Sequence, residues 1–190
     1  MLTSATGGVL VALLAIIGLT IVRMRPLLSV HLFVGMLLIG PVALKLGTTG
    51  YRFVRYYSAN PAYRRKGAPS APLRALAPIV VASTLVVFAS GVALLFAGPP
   101  SRDTLLPIHK VSFIVWVAFT AVHVLAHLPQ ATRSLRDDYG AVARLRGYAP
   151  GRSGRVLSLA GALVAGLVIA IVVIPQFGAW LSHPHGLHPH

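Results

Sequence analysis

The chain has 190 residues, of which 56% are hydrophobic and only 11% charged, too little polar surface for a soluble domain. It reads as an all-α, multi-pass transmembrane helical bundle of about five spans. The absence of cysteine excludes disulfides, thiolate metal ligands, cysteine-ligated clusters and thioether attachment of a cofactor, while 17 Lys and Arg against 3 acids give a formal charge of +14 whose location decides its meaning.

The first apolar stretch covers about residues 7–22, close to the roughly 20 residues that cross a bilayer as a helix. It lacks the basic start and small-residue cleavage site of a secretory signal, and Arg23 and Arg25 follow it, so it is expected to be retained. The second span, about 27–50, holds His31 near its start and Lys45 near its end, with Gly35, Gly40 and Pro41 between. A loop rich in Pro, Gly, Ser and Ala follows, and it carries Arg52, Arg55, Arg64, Arg65, Lys66 and Arg74.

The third span, about 76–97, contains Pro78, Ser83, Thr84, Ser90 and Gly91, and ends at the short turn GPPSRDTLLP. The fourth, about 105–128, carries His109, His123 and His127, with Phe113 and Trp116 midway. A second basic loop with Arg133, Arg136, Arg144, Arg146, Arg152 and Arg155 leads to the fifth span, about 156–178. Residues 1–180 thus form a single bundle. The tail, 181–190, places His183, His185, His188 and His190 among prolines, a composition that can bind Cu(II), Ni(II) or Zn(II) or can be an unstructured terminus with incidental affinity.

The basic residues concentrate in the loops after spans two and four, whereas the loops after spans one and three carry few. Under the positive-inside rule the basic loops, and with them the N-terminus, are cytoplasmic, and the C-terminal tail is outside. The charge is then a matter of topology and contact with membrane lipid, and no nucleic-acid module is present. Helices 2 and 4 run in the same direction.

His109 and His123 are fourteen residues apart, as are His31 and Lys45. On a helix that interval is roughly 21 Å, nearly four turns, and returns to almost the same face. His31 can therefore face His109 at the outer level, and Lys45 can face His123 at the inner one. Two imidazoles from facing helices at one depth suit a six-coordinate haem iron. Gly18, Gly35, Gly40 and Gly91 are compatible with the close approach of a bulky group or with ordinary helix packing.

With these positions the sequence resembles the cytochrome b group of membrane haem proteins, in which the second and fourth helices of a four-helix bundle each carry two haem-ligating histidines at about this spacing. The resemblance covers about residues 7–128. It implies haem b as the cofactor, ligated by His31, His109 and His123, electron transfer across a bacterial plasma membrane, and quinone or a redox partner protein as the exchange partner. Lys45 stands where the family has its fourth histidine. It can ligate iron as a neutral amine, pair with a haem propionate, line a quinone or proton site, or extend to the interface. His127, one turn beyond His123, suits hydrogen bonding at the interface or to a propionate.

Phe113, Trp116, Ser83, Thr84 and Ser90 read as packing and local hydrogen-bonding residues, and Arg52, Arg55, Tyr56 and Tyr57 as an interfacial belt. No HExxH, P-loop or GxGxxG occurs, and Asp103, Asp137 and Asp138 are all expected in loops, so carboxylate catalysis within the membrane is excluded and any enzymatic activity would be redox. Other readings remain open: a haem-free transporter or proton conductor using His31, Lys45, His109 and His123 as a titratable track, a metal permease fed by the tail, and an assembly subunit of a respiratory complex. The oligomeric state is not encoded in these features.

Overall fold

The computed structural model describes residues 2–58, 71–139 and 152–182, and these are helical nearly throughout, with no strand among them. Six α-helices follow in order: α1 Leu2–Val22, α2 Met24–Tyr57, α3 Ala71–Ala97, α4 Arg102–Tyr139, α5 Arg152–Val172 and the single turn α6 Gly178–Leu181. Short 3-10 turns, Pro99–Ser101 and Ile174–Phe177, introduce α4 and α6. Four helices are long and apolar enough to cross a membrane, and the apolar run Thr6–Val22 in α1 is shorter. Large apolar side chains such as Leu19, Val22, Ile114, Leu125 and Leu157 cover the exterior, as expected where the solvent is lipid. This is a membrane protein.

The connections explain the order. Only Arg23 separates α1 from α2, at φ −131° and ψ 57°, and Pro26 lies in the first turn of the next helix, where a missing N–H costs little. Between α3 and α4, Gly98 adopts φ +70°, the left-handed conformation that ends a helix, and its N–H bonds to the Leu94 carbonyl at 3.3 Å. Pro99 and Pro100 then prevent continuation, and Asp103 sits in the first turn of α4, where an acid complements the helix dipole.

α1 packs along α2, α3 packs along α4, and the two hairpins meet more sparsely through α2 with α3 and α1 with α4. The four helices therefore form a ring in chain order, with α2 and α4 on a diagonal and parallel to each other. α5 lies outside this ring, packed along α2.

Two glycines set that last contact. A Cβ on Gly40 would collide with the Ala162 carbonyl oxygen and stand 2.8 Å from the Gly166 nitrogen; one on Gly166 would collide with the Leu37 carbonyl oxygen and stand 3.0 Å from its carbon. The Leu37 carbonyl is the one that Pro41, having no N–H, leaves without its helical donor, so Gly166 can approach it closely. Gly40 thus serves helix packing and faces away from the diagonal.

The elements extend beyond the expected spans where they leave the hydrocarbon. α2 continues through Arg52 and Arg55 to Tyr57, with Tyr51, Phe53 and Tyr57 exposed as an aromatic belt, and α4 continues to Tyr139. The fifth span, expected as one helix to residue 178, ends instead at Val172, because Pro175 opens a 3-10 turn that redirects the chain. That turn brings Phe177 and Trp180 into a cluster with Met36, Leu94, Leu95 and Ala170. Trp180 donates to the Leu95 carbonyl at 3.5 Å, and the Arg102 guanidinium lies 4.6 Å from its ring centre. The His-rich tail, and Arg64, Arg65, Lys66, Arg144 and Arg146 of the basic loops, lie outside the described residues.

Candidate functional site

His31 on α2 and His109 on α4 are half-buried, on diagonal helices, and within electrostatic range of each other. Each is held from within its own hairpin. Thr20 on α1 contacts Nδ1 of His31 through its hydroxyl at 2.9 Å, and Ser90 on α3 contacts Nδ1 of His109 at 3.0 Å. Ser112, one turn along α4, lies 3.5 Å from the Ser90 hydroxyl and donates to the His109 carbonyl. Gly91 lies against the ring of His109: a Cβ there would stand 3.1 Å from Cε1.

The opposite nitrogen of each ring is in a different state. Among the described residues no hydrogen bond reaches Nε2 of His31 or His109, and neither atom is among the sealed polar atoms without a partner. Neither Nε2 is therefore sealed inside the fold.

The inner level is built from Lys45, His123 and His127. His123 is within electrostatic range of both Lys45 and His127, and the two imidazoles meet edge to face at 4.6 Å between centroids. Lys45 runs toward α1, where its Nζ would lie 3.7 Å from a Cβ on Gly7. In contrast to the outer pair, Nδ1 of His123 is buried with no hydrogen-bond partner, and so is the Thr120 hydroxyl.

Trp116 lies between the levels, buried, and donates to the Thr84 hydroxyl at 2.9 Å, with Phe113 beside it at 6.0 Å between ring centroids. Thr84 in turn donates to the Val80 carbonyl at 2.6 Å. Ser83 also bonds to Val80, so these two hydroxyls serve backbone and packing. Among the expected glycines, Gly91 alone touches a candidate ligand; nothing lies within 4 Å of a Cβ built on Gly18, and one on Gly35 meets Ile17 at 4.0 Å.

Thr20 and Ser112 were not evident as site residues from the sequence, and Ser90 was read only as a general hydrogen-bonding residue. A usable signal exists in the second hairpin. Ser90 and His109 are equidistant from Pro99–Pro100, so the tight antiparallel turn there places them side by side, whereas the α1–α2 turn lies at Arg23 and gives Thr20 and His31 no such symmetry.

No cluster of three or more His, Cys, Asp or Glu occurs among the described residues. A bare zinc ion, which favours four protein ligands in structural sites and three in catalytic ones, is poorly served by two imidazoles. Two imidazoles, one from each of two helices, could serve a metal that brings further donors of its own. The two hairpins meet only sparsely, and neither Nε2 has a hydrogen bond among the described residues. Comparison with family models, curated proteins and solved structures finds no match to this chain.

Proposed function

We propose that this protein is a membrane-bound b-type cytochrome that relays electrons across the plasma membrane of a bacterium, with its N-terminus cytoplasmic. His31 and His109 would hold one haem b through Nε2 at the outer level. When bound, the haem supplies reversible one-electron exchange at its iron. The protein contributes ligands from two parallel helices, a low-dielectric surrounding and a fixed orientation across the bilayer. Electrons enter from quinol or a protein donor and leave to an acceptor at the other face. Lys45 and His123 mark a second level along the same path.

The observation that carries this reading is the pair of imidazoles on diagonal helices, each anchored at Nδ1 and not sealed at Nε2. The test is the haem content of the detergent-purified protein after expression with ample haem supply, taken from its reduced-minus-oxidised spectrum. The expected result is one b-type haem per chain, lost in both His31→Ala and His109→Ala. A colourless wild-type protein, or undiminished haem in both variants, overturns the reading.

A further inference from the structure

A hydroxyl carries a single proton. The Thr20 hydroxyl lies 2.6 Å from the Ile17 carbonyl oxygen, and the Ser90 hydroxyl 3.1 Å from that of Val87. Carbonyl oxygens only accept, so a hydroxyl that gives its proton to the backbone keeps its oxygen free to accept. In that arrangement the contacts from those same hydroxyl oxygens to Nδ1 of His31 and His109 are donated by the rings. Ser112 does not alter this count, because its proton goes to the His109 carbonyl. A neutral imidazole that donates at Nδ1 has its lone pair at Nε2.

We propose that Thr20 and Ser90 are positioning residues that lock His31 and His109 into the Nδ1–H tautomer and tune their donor strength toward a metal centre. This rests on the haem reading above for its redox consequence, whereas the tautomer is a property of the protein alone. The same device occurs twice, built independently in each hairpin: a hydroxyl on the odd-numbered helix, anchored to its own backbone, accepts from the histidine on the even-numbered one. His123 lacks it, since its Nδ1 has no partner.

The choice of acceptor has a chemical consequence. An acceptor at Nδ1–H makes a ligating imidazole more basic, which favours the ferric iron, and a carboxylate does this more strongly than a hydroxyl. Here both acceptors are neutral hydroxyls already polarised by donating to carbonyls. The ligands therefore remain imidazoles with moderate donor strength, and removing either acceptor weakens them further and favours the ferrous form.

The experiment has two readouts on the full-length protein in detergent. In the haem-free protein labelled with 15N-histidine, the ring nitrogen shifts should show His31 and His109 protonated at Nδ1; Thr20→Val should release His31 alone, and Ser90→Ala should release His109 alone. In haem-loaded protein, both variants should retain b-type spectra, with the reduced-to-oxidised ratio at fixed ambient potential raised roughly threefold to tenfold. Tenfold corresponds to about 59 mV for one electron. Thr20→Ser should restore the wild-type value.

Nε2 protonation, or a tautomer mixture, at His31 and His109 in the wild-type protein overturns the tautomer assignment whether or not haem binds. Unchanged potentials in Thr20→Val and Ser90→Ala with haem retained overturn the tuning role. A protein that shows the Nδ1–H tautomer but takes up no haem keeps the tautomer assignment, overturns the tuning role and refutes the function proposed above.

Discussion

Gly91 offers a graded probe of whether the ring of His109 stands where a ligand must. A methyl group added there would lie 3.1 Å from Cε1, 3.5 Å from Nδ1 and 4.0 Å from Nε2 of that ring. Comfortable carbon–carbon separations are roughly 3.5–4.0 Å, so the imidazole would have to retreat by about half an ångström. The Ser90 bond, at 3.0 Å, has little slack to follow. Ligand constellations tolerate displacements of about 0.5 Å, which places Gly91→Ala at the edge of tolerance. Overpacking by one methylene costs roughly 1–3 kcal/mol, and rotation of the ring should keep this case near the lower end. About 1.4 kcal/mol is tenfold in affinity, so haem binding should weaken by about that factor in Gly91→Ala and by well over tenfold in Gly91→Val. Titration of haem into the haem-free variants, followed by the Soret band, measures this directly. Gly18→Ala is the control, since nothing lies within 4 Å of its added methyl. Wild-type affinity in Gly91→Val would show that His109 does not face the cofactor from this position.

Other expectations follow from packing and hydrogen bonding. Gly40→Ala and Gly166→Ala each drive a methyl into a backbone carbonyl of the facing helix and should destabilise the fold by at least about 3 kcal/mol, whereas Gly161→Ala, with no neighbour within 4 Å, should be neutral or slightly stabilising; reversible denaturant unfolding in detergent distinguishes them. Trp116→Phe removes the donor to Thr84 but leaves that hydroxyl bonded to Val80, so it should cost about 1 kcal/mol of stability with haem content unchanged. Arg102→Ala, which removes the cation from the ring of Trp180, should loosen α6 by about 0.5–1 kcal/mol, read as faster amide exchange at Trp180.

The helical bundle and its chain order were legible in the sequence, because apolar length and breaker residues are local signals: Arg23 with Pro26, and Gly98 with two prolines, end the helices where they do end. The like direction of α2 and α4 followed from the alternation of spans, but their place on a diagonal, with α1 and α3 between them, did not: the matched intervals suggested two helices side by side. What escaped was of two kinds. Helix ends outside the hydrocarbon, such as α2 to Tyr57 and α4 to Tyr139, continue because backbone hydrogen bonding does not stop where hydropathy does. The termination at Val172 depends on Pro175, whose effect hydropathy alone concealed. The partners of the histidines were hidden because threonine and serine in apolar helices usually bond their own backbone. Thr20 and Ser90 do that as well, and only their placement across tight hairpins gives each hydroxyl its second contact.

Lys45 turns the contrast between the two levels into a final prediction. At the outer level each ring has one nitrogen satisfied and one not sealed; at the inner level His123 has Nδ1 buried without a partner, beside a Thr120 hydroxyl in the same condition. Each such atom costs roughly 1–3 kcal/mol when no bond replaces its water, and a folded chain seldom retains two together without use. His127 approaches His123 through an edge-to-face ring contact, and on the same helix it cannot bracket a metal with it. The inner level therefore has imidazoles on one helix only and, on α2, the Lys45 side chain directed toward Gly7. Replacing that side chain with the one that completes the pair should convert the level into a second site: Lys45→His should raise haem content from one to two per chain, while Lys45→Met should leave the outer haem and its spectrum unchanged. Haem content that stays at one in Lys45→His would mean that the registers of α2 and α4 diverge over four turns and that the equal intervals are coincidental. Loss of the outer haem in Lys45→Met would mean that the two levels are not independent.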